Sequence, residues 1–268
     1  MPFPVTLTIA GSDSGGGAGI QADLKTFQAF GCFGTTAITA VTCQNTTGVS
    51  AVQGIEPGIV AGQLRDVLAD FPVAAAKTGM LFSKEIIETV AQVWREIDSQ
   101  RIPLVVDPVM VSTSGHRLLE SAAEAALLDF LKYADLITPN LPEAEVLLGR
   151  PVLDLGAMHT AARELFEMTG ARVLLKGGHR RRDVDRPGEA IDVFFDGENV
   201  QEFTRPVLNA RNTHGTGCTL SAAIAAGLAH HRPIHVAVDD ARDYLHGAML
   251  HAPNLGAGSG PLNHFWRP

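Results

Sequence analysis

One glycine-rich segment carries the residue types that a phosphoryl-transfer site needs. It reads Asn212-Thr213-His214-Gly215-Thr216-Gly217-Cys218 and leads into a small apolar run, 219–229, that is typical of a helix. Glycines allow the chain to curl so that successive N–H groups point at one spot, and a helix N-terminus adds unpaired N–H groups and a positive dipole end. Gly215, Thr216 and Gly217 are therefore predicted to bind an anion. Cys218, on the first turn, is the candidate base, because this position stabilises a thiolate.

Polar residues also stand at the ends of the short apolar runs elsewhere in the chain. Ligands of open α/β sheets bind beyond the carboxyl ends of the strands, so residues at these ends are expected to meet in one site. Scattered structural residues would not be expected to line one edge of a sheet. The segments concerned are Asp13, 43–45, 77–80, Asp107, 140–143 and 176–179.

Asp107 and Glu143 are the candidate residues for arranging Mg²⁺, and Lys176 is the candidate cation for a transferring phosphate. Mg²⁺ keeps several waters and takes only one or two protein carboxylates together with substrate phosphates. A lysine supplies a mobile positive charge to phosphate oxygens. Glu143 has an alternative role as an N-terminal helix residue that complements the helix dipole. Lys176 has the alternative of an ordinary lysine at a strand end.

A second glycine-rich loop, 11–20, follows the first apparent strand and admits three interpretations. It contains Gly17-x-Gly19-x-x-Ala22, a match to the dinucleotide fingerprint, but no carboxylate stands about 20 residues on, at 42–45, and no Gly-Lys-Ser/Thr ending marks a P-loop. The loop is otherwise a tight turn without a ligand, or a backbone that closes around a small substrate. Asp23, one turn into the following helix, points into that pocket or is a solvated helix residue.

Gln44 and Met80 are candidates for holding a flat heterocycle. The amide of Gln44 donates and accepts at once, which suits a ring nitrogen and an adjacent amino group. A methionine at a pocket mouth covers a ring face, although methionines more often pack in a core.

Two further loops are candidates for contributing to the site. Residues 109–117 form a polar stretch beside Asp107 that is suited to a lid excluding water. Arg180, Arg181, Arg182 and Arg186 form a basic run that lies either in solvent or near phosphates. The histidines lack zinc-ligand spacing, so His214 is expected to shape its loop rather than bind a metal.

Strand-like apolar runs alternate with helical patterns along the whole chain. This alternation predicts a three-layer αβα sandwich with a mostly parallel central sheet. Residues 190–196 and 200–205, separated by Gly197-Glu198-Asn199, are expected to form an antiparallel hairpin. With no internal repeat and no linker, residues 1–268 are expected to form a single domain.

Composition limits the classes of partner. The chain has 268 residues, 46% hydrophobic and 19% charged, and its net charge of −8 argues against a broad nucleic-acid or anionic-membrane surface. No apolar run approaches the ~20 residues of a membrane span, and no basic leader precedes the first strand. Three cysteines without a CxxC pair fit a reducing cytosol, so a cytoplasmic location is expected.

Taken together, these motifs resemble the ribokinase superfamily and, within it, the hydroxymethylpyrimidine/phosphomethylpyrimidine kinases of thiamine biosynthesis. The resemblance runs nearly end to end. The motifs that carry it are 10–27, 42–46, Lys77-Thr78-Gly79-Met80, Asp107-Pro108-Val109-Met110, 138–144, Lys176-Gly177-Gly178-His179 and 212–221.

The resemblance implies ATP- and Mg²⁺-dependent phosphorylation of the pyrimidine's hydroxymethyl group, and then of the monophosphate. It places the pyrimidine at Gln44, Met80, Gly11, Asp23 and Val109. It places ATP at Asn140, Glu143, Lys176 and Thr216, the metal at Asp107 and Glu143, and catalysis at 215–218 and Lys176. It also suggests a homodimer.

Three alternatives remain at this stage. Some members of the superfamily phosphorylate pyridoxal or pyridoxine, and a subgroup of these has a lid cysteine that 109–117 lacks. An NAD-type oxidoreductase would rest on Gly17-x-Gly19 alone. A non-catalytic pyrimidine sensor would not need Asp107, Lys176 and Cys218. Near the C-terminus, Ala257 and Ser259 replace a lysine and a histidine common in relatives, which is expected to alter only a peripheral surface.

Overall fold

A computed structural model describes residues 3–97, 102–110, 123–178, 186, 188–208 and 211–267. Within these residues, nine strands form one sheet in the order β3-β2-β1-β4-β5-β6-β7-β8-β9. The strands are β1 (Val5–Asp13), β2 (Phe33–Asn45), β3 (Gly48–Gly54), β4 (Val73–Thr78), β5 (Leu104–Val106), β6 (Leu136–Ile137), β7 (Arg172–Leu175), β8 (Glu189–Phe195) and β9 (Val200–Pro206).

The central strands β2, β1, β4, β5, β6 and β7 run parallel, with antiparallel strands at both edges. At one edge β3 pairs with β2, and at the other β8 pairs with β7 and β9. The parallel strands are short and apolar because both of their faces are covered, and their carboxyl ends lie along one edge.

Helices cover both faces of the sheet, as the alternation of elements predicts. They are α1 (Gly19–Ala29), α2 (Pro57–Asp70), α3 (Lys84–Glu96), α4 (Glu124–Leu131), α5 (Leu141–Leu148), α6 (Leu155–Thr169), α7 (Thr216–Ala229) and α8 (Ile234–Leu250). Helices α2 to α6 pack on one face, and α1, α7 and α8 on the other. Strand β5 shows the period-two division, since Leu104 and Val106 face the first core and Val105 the second.

Helix α7 is the most deeply buried helix, and its small side chains allow this. From Thr219 to Gly227 every residue is buried, and five of them are alanine or glycine. A Cβ on Gly227 would lie 2.8 Å from the Cβ of Ala237, so α8 packs directly against the α7 backbone. This packing fixes the position of the helix whose first turn begins at Thr216.

The predicted three-layer sandwich and the hairpin of β8 and β9 are confirmed. Two elements were not predicted. Strand β3 is largely exposed and lacks an apolar pattern, and α5 is short and begins inside the motif 138–144. No helix within the described ranges is long and apolar enough to cross a membrane.

His264 gives the fold a measurable pH dependence. Its side chain is buried, its Nε2 lies 3.0 Å from the Thr219 hydroxyl, and its carbonyl oxygen accepts a hydrogen bond from Tyr244. Burial, helped by the charge of Lys25, lowers the pKa of His264 to about 4. Between pH 6.5 and 4 the unfolded chain therefore binds a proton here that the folded chain does not.

We expect the free energy of unfolding to fall as the pH is lowered from 7 to 4, with about 3 kcal/mol of the loss due to His264. His264→Gln should remove that part of the slope in urea titrations at the two pH values. His235→Gln, on the exposed surface of α8, is the matched control. Equal slopes for wild type and His264→Gln would contradict the assignment.

Candidate active site

A cavity of about 700 Å³ opens at the carboxyl edge of the sheet. The strand ends of β1, β2, β4, β5 and β7 and the first turns of α5 and α7 contribute to its wall. Twelve of the thirteen residues predicted for the site line it, as the strand-end rule requires. They are Gly11, Gln44, Met80, Asp107, Val109, Asn140, Glu143, Lys176, Gly215, Thr216, Gly217 and Cys218.

The start of α7 has the geometry of an anion site. Gly215 has φ +84°, which favours glycine, and a Cβ there would collide with the carbonyl oxygen of Gly17. Among the described residues no side chain caps this helix, so the first N–H groups of α7 have no side-chain acceptor. They form the positive end of the helix dipole, where Gly215 to Cys218 line the cavity. These are the requirements for binding a phosphate at a helix N-terminus.

Cys218 lies on that first turn, but its thiol is less acidic than the sequence suggested. Burial raises the pKa of Cys218 to about 11, because the charge of Lys77 only partly offsets burial and the carboxylates of Asp23 and Asp107 add to it. In the protein without ligands, burial therefore opposes the thiolate that the position at a helix N-terminus favours. Proximity to a helix N-terminus does not overcome desolvation here.

Lys176 and Asp107 form an ion pair beside the helix. Lys176 Nζ donates to Asp107 Oδ1 over 2.8 Å, and the Thr138 hydroxyl donates to the same oxygen over 3.1 Å. Burial opposes the charge of Lys176, but Asp107 and Glu143 hold its pKa above the usual value, so the lysine remains a cation. A Cβ on Gly217 would lie 3.2 Å from Asp107 and 3.4 Å from Lys176, so the α7 backbone approaches the pair closely.

Glu143 takes the helix-terminus role and also faces the cavity. It forms a capping box with Asn140 at the start of α5, in which each side chain accepts the other's backbone N–H at 2.8 and 2.9 Å. It also lines the cavity, where burial raises its pKa to about 7, with Lys176 opposing and Asp107 reinforcing the rise.

A water-rich Mg²⁺ site fits these carboxylates better than a closed metal cage. The described residues contain no cluster of three or more His, Cys, Asp or Glu side chains able to hold a metal. Asp107 and Glu143 line the same cavity and repel each other electrostatically, so a cation between them would relieve that repulsion. One or two carboxylates completed by water and phosphate is the coordination that Mg²⁺ prefers.

Asp23 is the one predicted site residue that does not line the cavity. Its carboxylate is fully buried, 2.9 and 3.0 Å from Lys77 Nζ, and it accepts a 2.6 Å hydrogen bond from Thr8. Both interpretations of Asp23, as a pocket residue and as a solvated one, are wrong. Lys77, at the end of β4, provides a buried cation that holds the carboxylate away from the cavity lining.

Asp13, at the end of β1, closes the first glycine-rich loop, a role that was not predicted. Its carboxylate accepts the N–H groups of Gly15, Gly17 and Ala18 at 2.8–3.0 Å, and His214 Nε2 lies 2.8 Å away. Burial opposes its ionisation, but the hydrogen bond and charge of His214 and these N–H groups lower its pKa overall. Asp followed by Ser and glycines is the signal for such a side-chain-closed turn.

This turn also counts against a dinucleotide site. The N–H groups of Gly17 and Ala18, which a pyrophosphate would need, already bind Asp13. The loop is therefore closed by the Asp13 side chain. Its match to the dinucleotide fingerprint does not indicate a dinucleotide site.

The segment 254–261 is not peripheral, contrary to expectation. The Ser259 hydroxyl lies 3.1 Å from that of Thr213 and accepts its backbone N–H at 3.3 Å, and His214 N donates to the Gly260 carbonyl at 3.2 Å. Gly258 N donates to Thr46, at the β2–β3 turn. The segment thus supports residues 212–215, which form the loop before α7 and are named the anion loop.

The two further candidate loops are only partly described. Val109 lines the cavity, whereas 111–117 of the proposed lid lie outside the described residues. Arg180, Arg181 and Arg182 also lie outside them. Arg186 pairs with Glu189 and Glu202 on the β8–β9 hairpin.

Comparisons with known proteins agree with one another. The family model described as phosphomethylpyrimidine kinase matches residues 13–263. The hydroxymethylpyrimidine/phosphomethylpyrimidine kinase of Rhizobium meliloti is 48% identical over 98% of this chain and 97% of its own. The thiamine biosynthesis bifunctional protein ThiED of Geobacter sulfurreducens is 47% identical over 98% of this chain, which spans about half (53%) of that relative.

Two solved structures show the same fold. The pyridoxal kinase of Bacillus subtilis in an ADP complex superposes with a TM-score of 0.88 at 34% identity, covering 98% of both chains. The phosphomethylpyrimidine kinase of Clostridium difficile 630 superposes with a TM-score of 0.79 at 40% identity, over 90% of this chain and 97% of that one.

The Lys77–Asp23 pair should be structural, and removing one partner should be costly. Lys77→Met leaves a buried carboxylate without its counter-charge, so we expect a loss of about 3–5 kcal/mol in the free energy of unfolding. Adding Asp23→Leu should recover most of it, as measured by urea unfolding.

Lys132→Met is the matched control, since Lys132 and Asp129 form an exposed pair and such pairs contribute about 1 kcal/mol or less. A Lys77→Met protein as stable as this control would show that Asp23 is not held by charge pairing.

Proposed function

The chain belongs to the phosphomethylpyrimidine kinase family and has a ribokinase-like fold, and on this premise we propose how it phosphorylates its substrate. The phosphoryl donor is ATP. The acceptor is the hydroxymethyl group of 4-amino-5-hydroxymethyl-2-methylpyrimidine and then the phosphate of the monophosphate. The observation that carries the proposal is that one cavity holds an amide for the ring, an uncapped helix N-terminus for phosphate, and the Lys176–Asp107 pair.

The ring occupies the part of the cavity beside β1, β2 and β4. Gln44 presents an amide to the ring nitrogen and amino group, and Met80, with a pocket-lining Gly11, covers the ring face. A Cβ on Gly11 would collide with the Met80 side chain, so glycine here leaves room for the methionine. Val109 closes the opposite wall.

The phosphates occupy the part between α5 and α7. The N–H groups at Gly215, Thr216 and Gly217 hold the equatorial oxygens as charge develops on them, and Lys176 adds a mobile cation. Asn140 and Glu143, on the first turn of α5, are proposed to face the nucleotide. A Mg²⁺ ion held by Asp107 and Glu143 through water would supply further charge neutralisation.

Cys218 is proposed to take the proton from the attacking hydroxyl. As the alcohol oxygen bonds to the γ-phosphorus and the bond to the β-phosphate oxygen breaks, that proton passes to Sγ. The raised pKa means that only the minor thiolate form does this, and Lys77 stabilises that form. In a loose transition state the alcohol keeps its proton until bond formation to phosphorus is advanced. A thiolate of high pKa suits this step, because it is a strong base although only a small fraction of the thiol is ionised.

Pyridoxal is the second candidate acceptor, because pyridoxal kinases share this fold at 98% coverage. We would incubate the protein with Mg-ATP and either hydroxymethylpyrimidine or pyridoxal and follow the products by mass spectrometry. Mono- and then diphosphate from the pyrimidine supports the proposal. Pyridoxal phosphate as the main product would overturn the substrate, and tight pyrimidine binding without turnover would indicate a sensor.

We also propose Mg²⁺ as the physiological ion, a single domain over residues 1–268, a homodimer and a cytoplasmic location. The single domain is supported by a relative of which this chain covers 97%. Chelation by EDTA should abolish turnover, and Mg²⁺ should restore it.

Cys218 substitutions test the base. Cys218→Ala should lower kcat at least a hundredfold, the scale of general-base catalysis, with little change in ATP affinity. In the wild type, kcat should rise with pH up to the limit of protein stability, because the thiolate fraction rises toward a pKa of about 11.

Cys218→Asp, the residue that many ribokinase relatives carry at this position, should keep activity and flatten this rise, since a carboxylate is already ionised at neutral pH. A near-normal kcat in Cys218→Ala would remove the base role, and a wild-type plateau below pH 8 would contradict the minor-thiolate mechanism.

A further inference from the structure

His214 occupies a junction between the two ends of the cavity. Its Nε2 lies 2.8 Å from Asp13 Oδ2 and 3.0 Å from the Gln44 amide atom that is assigned as Nε2. Its backbone belongs to the anion loop, directly before Gly215. Gln44 is itself tied to the first glycine loop, since its backbone N–H and carbonyl both bond to the Ser14 hydroxyl at 2.8 Å.

The hydrogen on this imidazole can be assigned from its partners. Asp13 is ionised and accepts three backbone N–H groups, so it has no proton to give. The bond to His214 therefore requires a hydrogen on Nε2. A nitrogen that already carries a hydrogen has no lone pair for a second donor, so the Gln44 atom facing it must be the amide oxygen.

Thr42, the other neighbour of the Gln44 amide, requires the same orientation of that amide. The Thr42 hydroxyl gives its hydrogen to the Ser12 carbonyl over 2.9 Å. Its oxygen lies 3.5 Å from the Gln44 amide atom assigned as Oε1 and is free only to accept, so the oxygen and the NH₂ of this amide must be exchanged. The oxygen and nitrogen of an amide are interchangeable in shape, and both neighbours select the same orientation.

We propose that His214, held by Asp13, is a positioning residue that determines substrate specificity by fixing the Gln44 amide with its oxygen toward the imidazole and its NH₂ toward Thr42. One N–H and one lone pair of the amide then remain for a ligand. That donor–acceptor pair matches a ring nitrogen beside an exocyclic amino group. A pyridine ring without the amino group uses only half of it.

This inference rests on the proposed function for its ligand and on the hydrogen bonds for its geometry. Without the imidazole the Gln44 amide rotates freely. Ligand binding must then fix the amide, and the conformational entropy lost in doing so weakens binding. His214→Phe keeps a planar ring without a donor. His214→Gln places an NH₂ donor near the position of Nε2.

A double-mutant cycle on His214 and Gln44 tests the coupling. Calorimetry without ATP should show His214→Phe weakening hydroxymethylpyrimidine about tenfold, whereas His214→Gln stays within about threefold of wild type. In a Gln44→Ala background, His214→Phe should add less than about twofold. The exposed His230→Phe is the control for an imidazole lost outside the cavity.

The preference for the pyrimidine over pyridoxal, as a ratio of kcat/KM, should fall about tenfold in His214→Phe. Equal weakening by His214→Phe with and without Gln44 would overturn the proposal, since His214 would then support the loop alone. So would His214→Gln being as weak as His214→Phe.

A readout independent of substrate separates this inference from the proposed function. In ¹⁵N-labelled wild-type protein at pH 7.5, the shift of His214 Nε2 should be that of a protonated nitrogen, and a lone-pair shift overturns the assignment. If the wild type neither binds nor phosphorylates the pyrimidine, the proposed function fails, while the nitrogen shift still decides the orientation of Gln44.

Discussion

Every charge taken out of water at the carboxyl edge of this sheet has to be paired, and the site is built around that constraint. Lys77 with Asp23, Lys176 with Asp107, and His214 with Asp13 form three such pairs, each with a contact of 2.8–3.0 Å. A charge buried without a partner costs several kcal/mol. Pairing therefore decides which charged side chains line the cavity, such as Lys176 and Asp107, and which are buried away from it, such as Lys77 and Asp23.

The three pairs lie at different depths and do different work. The deepest, Lys77–Asp23, is fully buried and places a positive charge below Cys218. The next, Lys176–Asp107, lines the cavity and leaves a cation at its surface. The third joins the glycine loop after β1 to the loop before α7. The first two pairs thus place positive charges near Cys218 and at the cavity surface, in a protein of net charge −8.

Much of this site followed from sequence because a parallel sheet gathers its strand ends. Gln44, Met80, Asp107 and Lys176 are far apart in the chain, yet a single topological rule placed them together. Asp23 was misjudged because sequence does not show which neighbour a helix residue will meet, and its partner Lys77 was taken as one more strand-end residue. The acidity of Cys218 was misjudged for a related reason. A motif shows the helix N-terminus but not the depth of burial, and burial dominates.

The contacts of 254–261 tie the anion site to a segment that is synthesised long after the first glycine-rich loop. The loop before α7 is hydrogen-bonded to Ser259 and Gly260. The Gly15–Ala18 turn is linked to that loop by the contact between Asp13 and His214. Residues separated by about 200 positions must therefore meet before the anion site takes shape, and contacts of such separation form late in folding. During synthesis the early strands emerge long before the segment that completes the cavity. A nascent chain can hold much of its sheet and still have no phosphate pocket until residues 254–261 have been synthesised.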